Sequence, residues 1–211
     1  MIHELRTYTF HPGKLPAYMK LAETVGRPAR GNRYGVNHGY WTTEFGTLNQ
    51  IWHLWSYDSL DERTRLRADL QKNEAWVRDY IPNILPLMQR QDIRLMNPVK
   101  DITPPAEAGG IYEVRMYRAR PGKAREWAGH FKDILPVREK YSKNVGLWVT
   151  EAPQPNELVH MWNYPSVEAR MKTRAAVDAD PDWQGFRTKV TGFVEEMQSF
   201  LLIPTPYSAM K

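Results

Sequence analysis

The sequence repeats itself once over most of its length. Residues 2–8 (IHELRTY) reappear as residues 111–117 (IYEVRMY), and each copy runs on to a Pro-Gly-Lys turn. Residues 39–44 (GYWTTE) reappear in the same order as residues 146–151 (GLWVTE). The copies are offset by 109 residues at the first block, from 2 to 111, and by 107 at the second, from 39 to 146. A period this long exceeds that of solenoid repeats and predicts the duplication of a whole domain.

The repeat divides the 211 residues into two halves of about 100 residues, which is an ordinary size for a small domain. We place the N-terminal half at residues 1–98 and the C-terminal half at residues 111–211. Residues 99–110 between them are rich in Pro, Ala and Gly, so this segment is predicted to be a linker.

Composition places the chain among globular proteins and narrows the class of partner. Apolar residues make up 42% of the sequence and eight residues are Trp, which is enough to build a core. The net charge of +5 is modest and its basic residues alternate with acidic ones, which argues against a nucleic-acid partner. The absence of cysteine excludes a disulfide and a thiolate nucleophile. A strand pattern begins at Ile2 and no apolar run could cross a bilayer, so we expect a cytoplasmic protein without a membrane partner.

Both halves show the same order of predicted elements. Residues 2–10 alternate like a strand, and apolar residues then recur at helical spacing from Leu15 to Val25. Two aromatic, Thr-rich runs follow, and the turn residues 46–49 between them predict a hairpin. Ser59 begins a charged helix, and a last strand ends the half. The order β-α-β-β-α-β is that of the ferredoxin-like fold, so the fold class is α+β.

A four-stranded sheet with both helices on one side leaves its other side uncovered. Two such repeats in one chain can cover each other by packing sheet to sheet, which closes eight strands into a barrel. The interior of this barrel, the lumen, is then either filled by side chains or open to one small ligand.

Alternation along the strands predicts which side chains face the lumen. On the first and third strands of each half we assign the more apolar set to the helix side. This set is Leu5, Trp52, Leu54, Val114, Met116, Val159 and Met161. On the second strand, Tyr40 and Leu147 are assigned to the helix side. The residues predicted to line the lumen are Glu4, Arg6, Tyr8, Trp41, Thr43, His53, Trp55, Tyr57, Glu113, Arg115, Tyr117, Trp148, Thr150, His160, Trp162 and Tyr164.

The lumen rows contain the candidate functional groups. His53 and His160 are candidate catalytic residues for proton transfer, because the imidazole titrates near neutral pH. Arg6 and Arg115 are candidate anchors for an anion, and the neighbouring rings suit an aromatic molecule. The predicted ligand-binding residues are Glu4, Arg6, Tyr8, Trp41, Trp55, Glu113, Arg115, Tyr117, Trp148 and Trp162. The alternative is purely structural, in which paired acidic and basic groups only hold the halves together.

No metal site and no cofactor are predicted. The six histidines, at positions 3, 11, 38, 53, 130 and 160, show no paired ligand spacing. Walker, dinucleotide-binding and nucleophile-elbow motifs are absent from the sequence. Haem needs only one axial histidine, so the pattern leaves haem open. The basic residues in 27–33 and 63–67 are most simply predicted to lie on solvated surface, although the first cluster could cradle an anion.

Several of these blocks resemble the NIPSNAP family. The first half carries ELRTY at residues 4–8, PGK at 12–14, GYWTTEFG at 39–46 and HLWSYDSL at 53–60. The second half matches more loosely and departs from the pattern at Leu147, Val149 and Pro165. The resemblance implies a dimeric α+β barrel, a superfamily that includes cofactor-free monooxygenases, isomerases, dehydratases and haem-binding enzymes. The fold therefore does not name a reaction.

Residues and resemblance together lead to a functional hypothesis. We expect a protein that binds a small aromatic or anionic molecule in the lumen, with cofactor-independent acid/base or monooxygenase-type chemistry as the enzymatic form of this role. The alternative is a non-enzymatic protein-interaction module with a packed lumen, because the resemblance also implies roles in protein interactions. A lumen cavity below about 300 Å³ would count against ligand binding. Sheet edges and helices on the outside favour a homodimer.

Overall fold

The computed structural model describes residues 1–107 and 109–211, and it confirms the predicted order of elements in both halves. The strands of the N-terminal half are β1 (Ile2–Phe10), β2 (Val36–Phe45), β3 (Gln50–Tyr57) and β4 (Met88–Lys100). Its helices are α1 (Leu15–Leu21), α2 (Arg27–Arg30), α3 (Leu60–Leu70) and α4 (Ile81–Ile84), extended by π-helical turns at Ala22–Gly26 and Ala75–Tyr80 and a 3₁₀ turn at Leu85–Leu87.

The C-terminal half repeats this pattern with longer, more regular helices. Its strands are β5 (Ile111–Ala119), β6 (Asn144–Ala152), β7 (Glu157–Tyr164) and β8 (Val194–Pro204). Its helices are α5 (Ala124–Arg138), α6 (Val167–Asp178) and α7 (Pro181–Lys189). Strand β4 continues through Lys100, so it extends two residues into the segment predicted as a linker at 99–110. Ala108 of that segment lies outside the described residues.

Side-chain caps explain where the outer helices begin. The Ser59 hydroxyl accepts the backbone N–H of Glu62 at 3.0 Å, and Ser166 accepts that of Ala169 at 3.1 Å in the other half. Such caps satisfy backbone donors that the first helical turn leaves free. The Asp180 carboxylate caps α7 in the same way, and the helix runs through Lys189.

The strands of the described residues close into a barrel in the order β1-β3-β2-β8-β5-β7-β6-β4. Each half contributes a ferredoxin-like sheet, β4-β1-β3-β2 and β8-β5-β7-β6. The halves join at two antiparallel seams, β2 with β8 and β4 with β6. The last strand of each half therefore pairs with the second strand of the other, and the predicted barrel within one chain is confirmed.

The predicted faces of β1, β3, β5 and β7 are wrong, whereas those of β2 and β6 are correct. The apolar set assigned to the helix side packs in the lumen instead, together with Trp41 and Trp148. The rows assigned to the lumen lie beneath the helices, where their aromatic members join the helix-side cores. These aromatic residues are Tyr8, Trp55, Tyr57, Tyr117, Trp162 and Tyr164.

The position of the charges explains the inversion. Both faces of this sheet are buried, so hydrophobicity alone does not distinguish them. A buried carboxylate needs a cationic partner, and the helices supply one to each half: Arg63 of α3 pairs with Glu4, and Arg170 of α6 pairs with Glu113. The charged row therefore faces the helices, and the lumen receives side chains that need no charged partner.

The lumen is filled by side chains from both halves. Trp41 and Trp148 are 0% and 1% exposed, and Trp148 Nε1 donates a hydrogen bond to His3 Nδ1 at 2.6 Å. Trp52 Nε1 donates to Thr43 Oγ1 at 2.8 Å. An eight-stranded barrel is just wide enough for such filling. The predicted lumen site is thus occupied by the protein's own core.

The buried His3 makes stability depend on pH. Burial, followed by the charge of His38, lowers the pKa of His3 from 6.5 to about 4. The unfolded chain then takes up a proton near pH 6.5 that the folded chain refuses until about pH 4. We expect His3 to contribute a fall of about 3 kcal/mol in the free energy of unfolding across this range, measured by denaturant titration at several pH values as the difference between the wild type and a variant that lacks His3.

Two variants separate His3 from the other titrating groups. His3→Asn keeps an acceptor for the Trp148 indole but cannot titrate, so its stability should fall less steeply between pH 6.5 and 4. His11→Asn, at an exposed position, should keep the wild-type slope. Equal slopes in wild type and His3→Asn would contradict the assignment.

No helix in the described ranges 1–107 and 109–211 has both the length and the apolar character needed to cross a membrane.

Candidate functional site

The predicted site rows come together between the sheet and the helices. In the C-terminal half they line a cavity of about 340 Å³, here called the C-terminal cavity. Its polar lining residues are Arg115, Tyr117, Arg138, His160, Arg174, Asp178 and Arg187, and its aromatic walls are Trp127, Phe131, Trp162, Trp183 and Phe186. An aromatic cavity above about 300 Å³ with a few convergent polar groups is the ordinary form of a small-molecule site.

His160 lines this cavity, and its hydrogen bonding fixes which ring nitrogen carries the proton. Its Nδ1 accepts a hydrogen bond from Trp162 Nε1 at 2.7 Å, and an indole nitrogen can only donate. Burial, followed by the charge of Arg115, lowers the pKa of His160 well below its usual value, so the ring is neutral at pH 7. A neutral imidazole whose Nδ1 accepts carries its proton on Nε2.

The Nε2–H group of His160 is buried and lacks an acceptor in the described residues. The residue is 3% exposed, and among the described residues Nε2 has no hydrogen-bond partner. Aromatic rings hold the imidazole in place: the Tyr117 and Phe131 ring centroids lie 4.9 and 5.0 Å from it. A buried donor of this kind costs free energy until an acceptor binds it.

Glu113 positions the arginine beside this histidine. Arg115 Nη1, Arg170 Nη2 and Ser199 Oγ donate to the same Glu113 oxygen at 2.9, 2.6 and 2.7 Å. Burial alone would raise the pKa of Glu113, but the hydrogen bond from Arg170 and the charge of Arg115 lower it to about 2. The carboxylate is therefore ionised, and its two arginines leave one positive charge in excess.

Arg115 also prepares a second donor for the cavity. Its Nε donates to the Tyr117 hydroxyl at 2.5 Å, so the hydroxyl oxygen accepts and its hydrogen is left to point elsewhere. Burial raises the pKa of Tyr117, although Arg115 opposes this effect, and the phenol is neutral at pH 7. Arg115, Tyr117 and His160 thus offer hydrogen-bond donors on one wall.

Further arginines make the cavity strongly basic. Arg138 is 3% exposed, lies 4.2 Å from the centre of the Trp162 ring and donates to Tyr164 Oη at 3.0 Å. Arg174 lines the cavity from α6. Asp178 and Arg187 form a 3.4 Å ion pair at the exposed rim between α6 and α7. The acidic groups near the cavity are thus engaged by arginine, and the excess charge is positive.

The N-terminal half repeats the arrangement around a smaller cavity of about 130 Å³, here called the N-terminal cavity. Trp55 Nε1 donates to His53 Nδ1 at 2.6 Å, and burial, followed by the charge of Arg6, lowers the pKa of His53 well below its usual value. Arg6 Nη1 donates to Glu4 Oε1 at 2.8 Å, and Arg63 pairs with the other Glu4 oxygen.

Tyrosine rings account for the difference in size. The Tyr40 ring stacks on His53, with centroids 5.1 Å and planes 15° apart, whereas the matching position of the C-terminal half is Leu147. Tyr207, near the end of the chain, packs against Tyr40 at 5.3 Å. These rings occupy space that stays open around His160.

The predicted site residues are thus partly assembled. The two histidines, Arg6, Arg115, Tyr8 and Tyr117 line the cavities. Glu4 and Glu113 lie behind the arginines, and Trp55 and Trp162 orient the histidines. Trp41 and Trp148 are in the lumen, away from both cavities. The catalytic and ligand-binding roles of these residues stay predictions.

Three pairs of arginines were not among the predicted site residues, because the clusters at 27–33 and 63–67 were most simply predicted to be solvated and their counterparts in the second half were not singled out. They are Arg30 and Arg138, Arg63 and Arg170, and Arg67 and Arg174. Arg30 is 3% exposed, stacks on Trp55 at 3.4 Å and donates to Tyr57 Oη at 2.9 Å, so this member of the first cluster lies in the core and not on the surface. The available signal was the repeat itself, because two arginines four residues apart recur at 63 and 67 and at 170 and 174.

A metal centre has no support in the part of the chain that the structure describes, where His, Asp and Glu residues form no cluster of three or more suited to an ion.

The chain consists of two ferredoxin-like halves around a shared interior, with a cavity under each helix layer. This architecture is that of the dimeric α+β barrel class. A family model described as NIPSNAP matches residues 3–102 and again residues 112–209. The chain belongs to the NIPSNAP family, which confirms the resemblance found in the sequence.

Relatives match over nearly the whole chain. Human protein NipSnap homolog 3A is 29% identical over 217 residues, covering 100% of this chain and 86% of that protein. A NipSnap homolog from Dictyostelium discoideum is 29% identical over 210 residues, covering 96% and 87%.

Solved structures share the fold at low sequence identity. A candidate monooxygenase from Lactobacillus acidophilus superimposes with a TM-score of 0.70 at 12% identity, covering 96% of this chain and 93% of that one. An anthrone oxidase-like protein gives a TM-score of 0.68 at 11% identity, covering 100% and 94%. Likeness at this level of identity concerns the fold alone.

Proposed function

We propose that the C-terminal cavity binds a small aromatic anion, such as a carboxylate or a phenolate. The His160 Nε2–H group and Arg115 would donate to the anionic oxygen, and the rings of Trp127, Phe131 and Trp183 would enclose the aromatic part. The observation that carries the proposal is the buried, neutral His160 donor in a basic cavity of about 340 Å³.

The hydrogen bonding supports a donor role for His160. Its Nδ1 lone pair is used by Trp162, and Nε2 holds the proton, so the face toward the cavity offers N–H rather than a lone pair. A donor and positive charge in a buried site favour the anionic form of a bound phenol or enol. The predicted proton-transfer role would require this arrangement to change during turnover.

Oxygen chemistry on a bound enolate is the enzymatic form of this proposal. A ring methylene that is conjugated with a carbonyl across the same ring, as in an anthrone, loses a proton to give an aromatic enolate, the electron-rich form of the substrate, and this proton ends in the water that is formed. Dioxygen then takes four electrons from the substrate itself, so that CH₂ and O₂ become C=O and H₂O without a cofactor. The likeness to an anthrone oxidase-like protein makes an anthrone the natural probe.

Isothermal titration with 2-naphthoate tests the binding proposal. We expect saturable binding to the wild type and at least about tenfold weaker binding to His160→Asn, since one hydrogen bond to a charged group is lost. The Asn side chain still offers an acceptor to Trp162, so the histidine's structural role is kept. The neutral 2-naphthamide should bind more weakly than naphthoate, because it lacks the charge that the arginines attract.

His53→Asn is the matched control, because it makes the same change beside the smaller cavity. Naphthoate affinity should be unchanged in this variant. Equal losses in both variants, or no loss in His160→Asn, would contradict the proposed site. Oxygen uptake with an anthrone, present in the wild type and lost in His160→Asn, would establish the enzymatic form. If 2-naphthoate, 2-naphthamide and the anthrone all fail to bind, the alternative of a non-enzymatic protein-interaction module is favoured.

The homodimer and the cytoplasmic location stay predictions. One chain already supplies both halves of the barrel, so a homodimer would have to use the outer surface. Native mass spectrometry measures the oligomeric state directly.

A further inference from the structure

The N-terminal cavity carries an excess of positive charge, and the proposed function gives this cavity no role. Arg6, Arg27, Arg30 and Arg67 line it, and among the described residues that line it none is acidic. The nearby Glu4 is shared between Arg6 and Arg63. Burial, followed by the charge of Arg6, lowers the pKa of Arg67, as expected where cations are crowded together.

The tyrosines that line the N-terminal cavity do not supply the negative charge that would balance these arginines. Burial raises the pKa values of Tyr18, Tyr40 and Tyr80, so these phenols are neutral at pH 7. Their rings face the cations instead: the Arg6 guanidinium lies 5.3 Å from the centre of the Tyr8 ring, and the Arg27 guanidinium 5.5 Å from that of Tyr40. Contacts of this kind stabilise a cation only modestly.

Buried N–H groups of the cavity wall are also unused. Within residues 1–107 and 109–211, Arg6 Nε, Arg27 Nη1, Arg30 Nε and His53 Nε2 have no hydrogen-bond partner. Arg6, Arg30 and His53 are each 3% exposed. Because His53 Nδ1 accepts from Trp55, Nε2 carries the proton and is a donor like the others. Four side chains therefore offer buried donors, which together call for an acceptor with several oxygens.

We propose that the N-terminal cavity is a binding site for a small oxyanion, separate from the aromatic site of the other half. Its volume of about 130 Å³ suits a group the size of phosphate or a short carboxylate, and is too small for an aromatic ring system with its substituents. Arginine forks bind phosphate and carboxylate oxygens by the same pairs of hydrogen bonds. The duplicated halves thus recognise anions of different size.

Thermal unfolding of the whole chain in increasing phosphate, and separately in increasing acetate, tests the site. Ionic strength is held constant with potassium gluconate, whose six-carbon anion is too bulky for the cavity. A bound anion raises the unfolding midpoint along a saturable curve. In Arg67→Met the half-saturating concentration should rise at least about tenfold, through loss of a charge-assisted hydrogen bond. His53→Asn should show the same loss, since it removes one donor and keeps the acceptor for Trp55.

Arg65→Met is the control on the same helix, because Arg65 is exposed and pairs only loosely with Asp69 at 3.6 Å. It should respond to the anion like the wild type. Saturation by phosphate alone identifies a tetrahedral oxyanion and saturation by acetate a carboxylate, and either supports the site. An unsaturable response, or equal responses in Arg67→Met and Arg65→Met, would overturn it.

One more variant separates this site from the aromatic one. If Arg174→Met abolishes the response and Arg67→Met does not, the anion binds in the C-terminal cavity and the inference is overturned. The naphthoate titration is read independently, because it depends on His160 and not on His53. Failure of one proposal therefore leaves the other standing.

Discussion

Replacing Glu113 with glutamine should lower the free energy of unfolding by about 3–5 kcal/mol, as is usual when one partner of a buried ion pair is removed. The 0% exposed carboxylate accepts hydrogen bonds from Arg115, Arg170 and Ser199. The amide retains one acceptor but no charge, so two partly buried arginines are left side by side without a counter-charge. Denaturant unfolding at pH 7 measures the loss. Glu196→Gln, which removes a 59% exposed partner of Arg118, should leave the free energy of unfolding nearly unchanged, because solvent screens this pair.

The pH dependence gives a second readout of the same carboxylate. The pKa of Glu113 is about 2 in the folded chain against 4.5 in the unfolded chain. Its stabilising contribution is complete above pH 4.5 and is lost as the pH falls toward 2, by about 3 kcal/mol in total. Glu113→Gln lacks this group, so its stability should decline less over that range. Parallel curves for variant and wild type would show that Glu113 is not an ionised partner of the arginines.

Replacing Trp148 with alanine should lower the free energy of unfolding by about 3–5 kcal/mol and leave naphthoate affinity unchanged. The indole is 1% exposed in the lumen, packs over Gly146 and donates to His3, so its removal opens a cavity in the shared core. Binding is measured at a temperature where the variant is folded. A lumen site would instead lose ligand binding.

Trp183→Ala is the complementary variant. Trp183 is partly exposed and lines the C-terminal cavity, so its removal should weaken naphthoate binding about tenfold with a smaller loss of stability. If both variants change stability and affinity in the same proportion, lumen and cavity cannot be the separate compartments described above.

The fold followed from the sequence because duplication and alternation act on long segments. The repeat set the two halves, and turn residues set the hairpin. The exposed face of a ferredoxin-like sheet then required a second sheet, which the C-terminal half supplies. The extent of β4 was less predictable, since strand ends depend on tertiary contacts that local sequence does not contain.

The site was predicted on the wrong side of the sheet, and the hairpin formed by β2 and β3 shows why. Residues opposite each other in antiparallel strands share a face. A four-residue connection at 46–49 places Tyr40 on the same face as His53, and the structure pairs these two residues directly. Tyr40 was assigned to the helices and His53 to the lumen, which this pairing forbids. Polarity was a misleading guide, because the helices bring their own arginines to the sheet.

The position of bound 2-naphthoate in a crystal of the wild-type chain tests the central claim most directly. We predict that its carboxylate lies within hydrogen-bonding distance of His160 Nε2 and Arg115, with the ring between the sheet and α5 and α7. A naphthoate found in the lumen against Trp41 and Trp148, or bound only on the outer surface, would contradict the account.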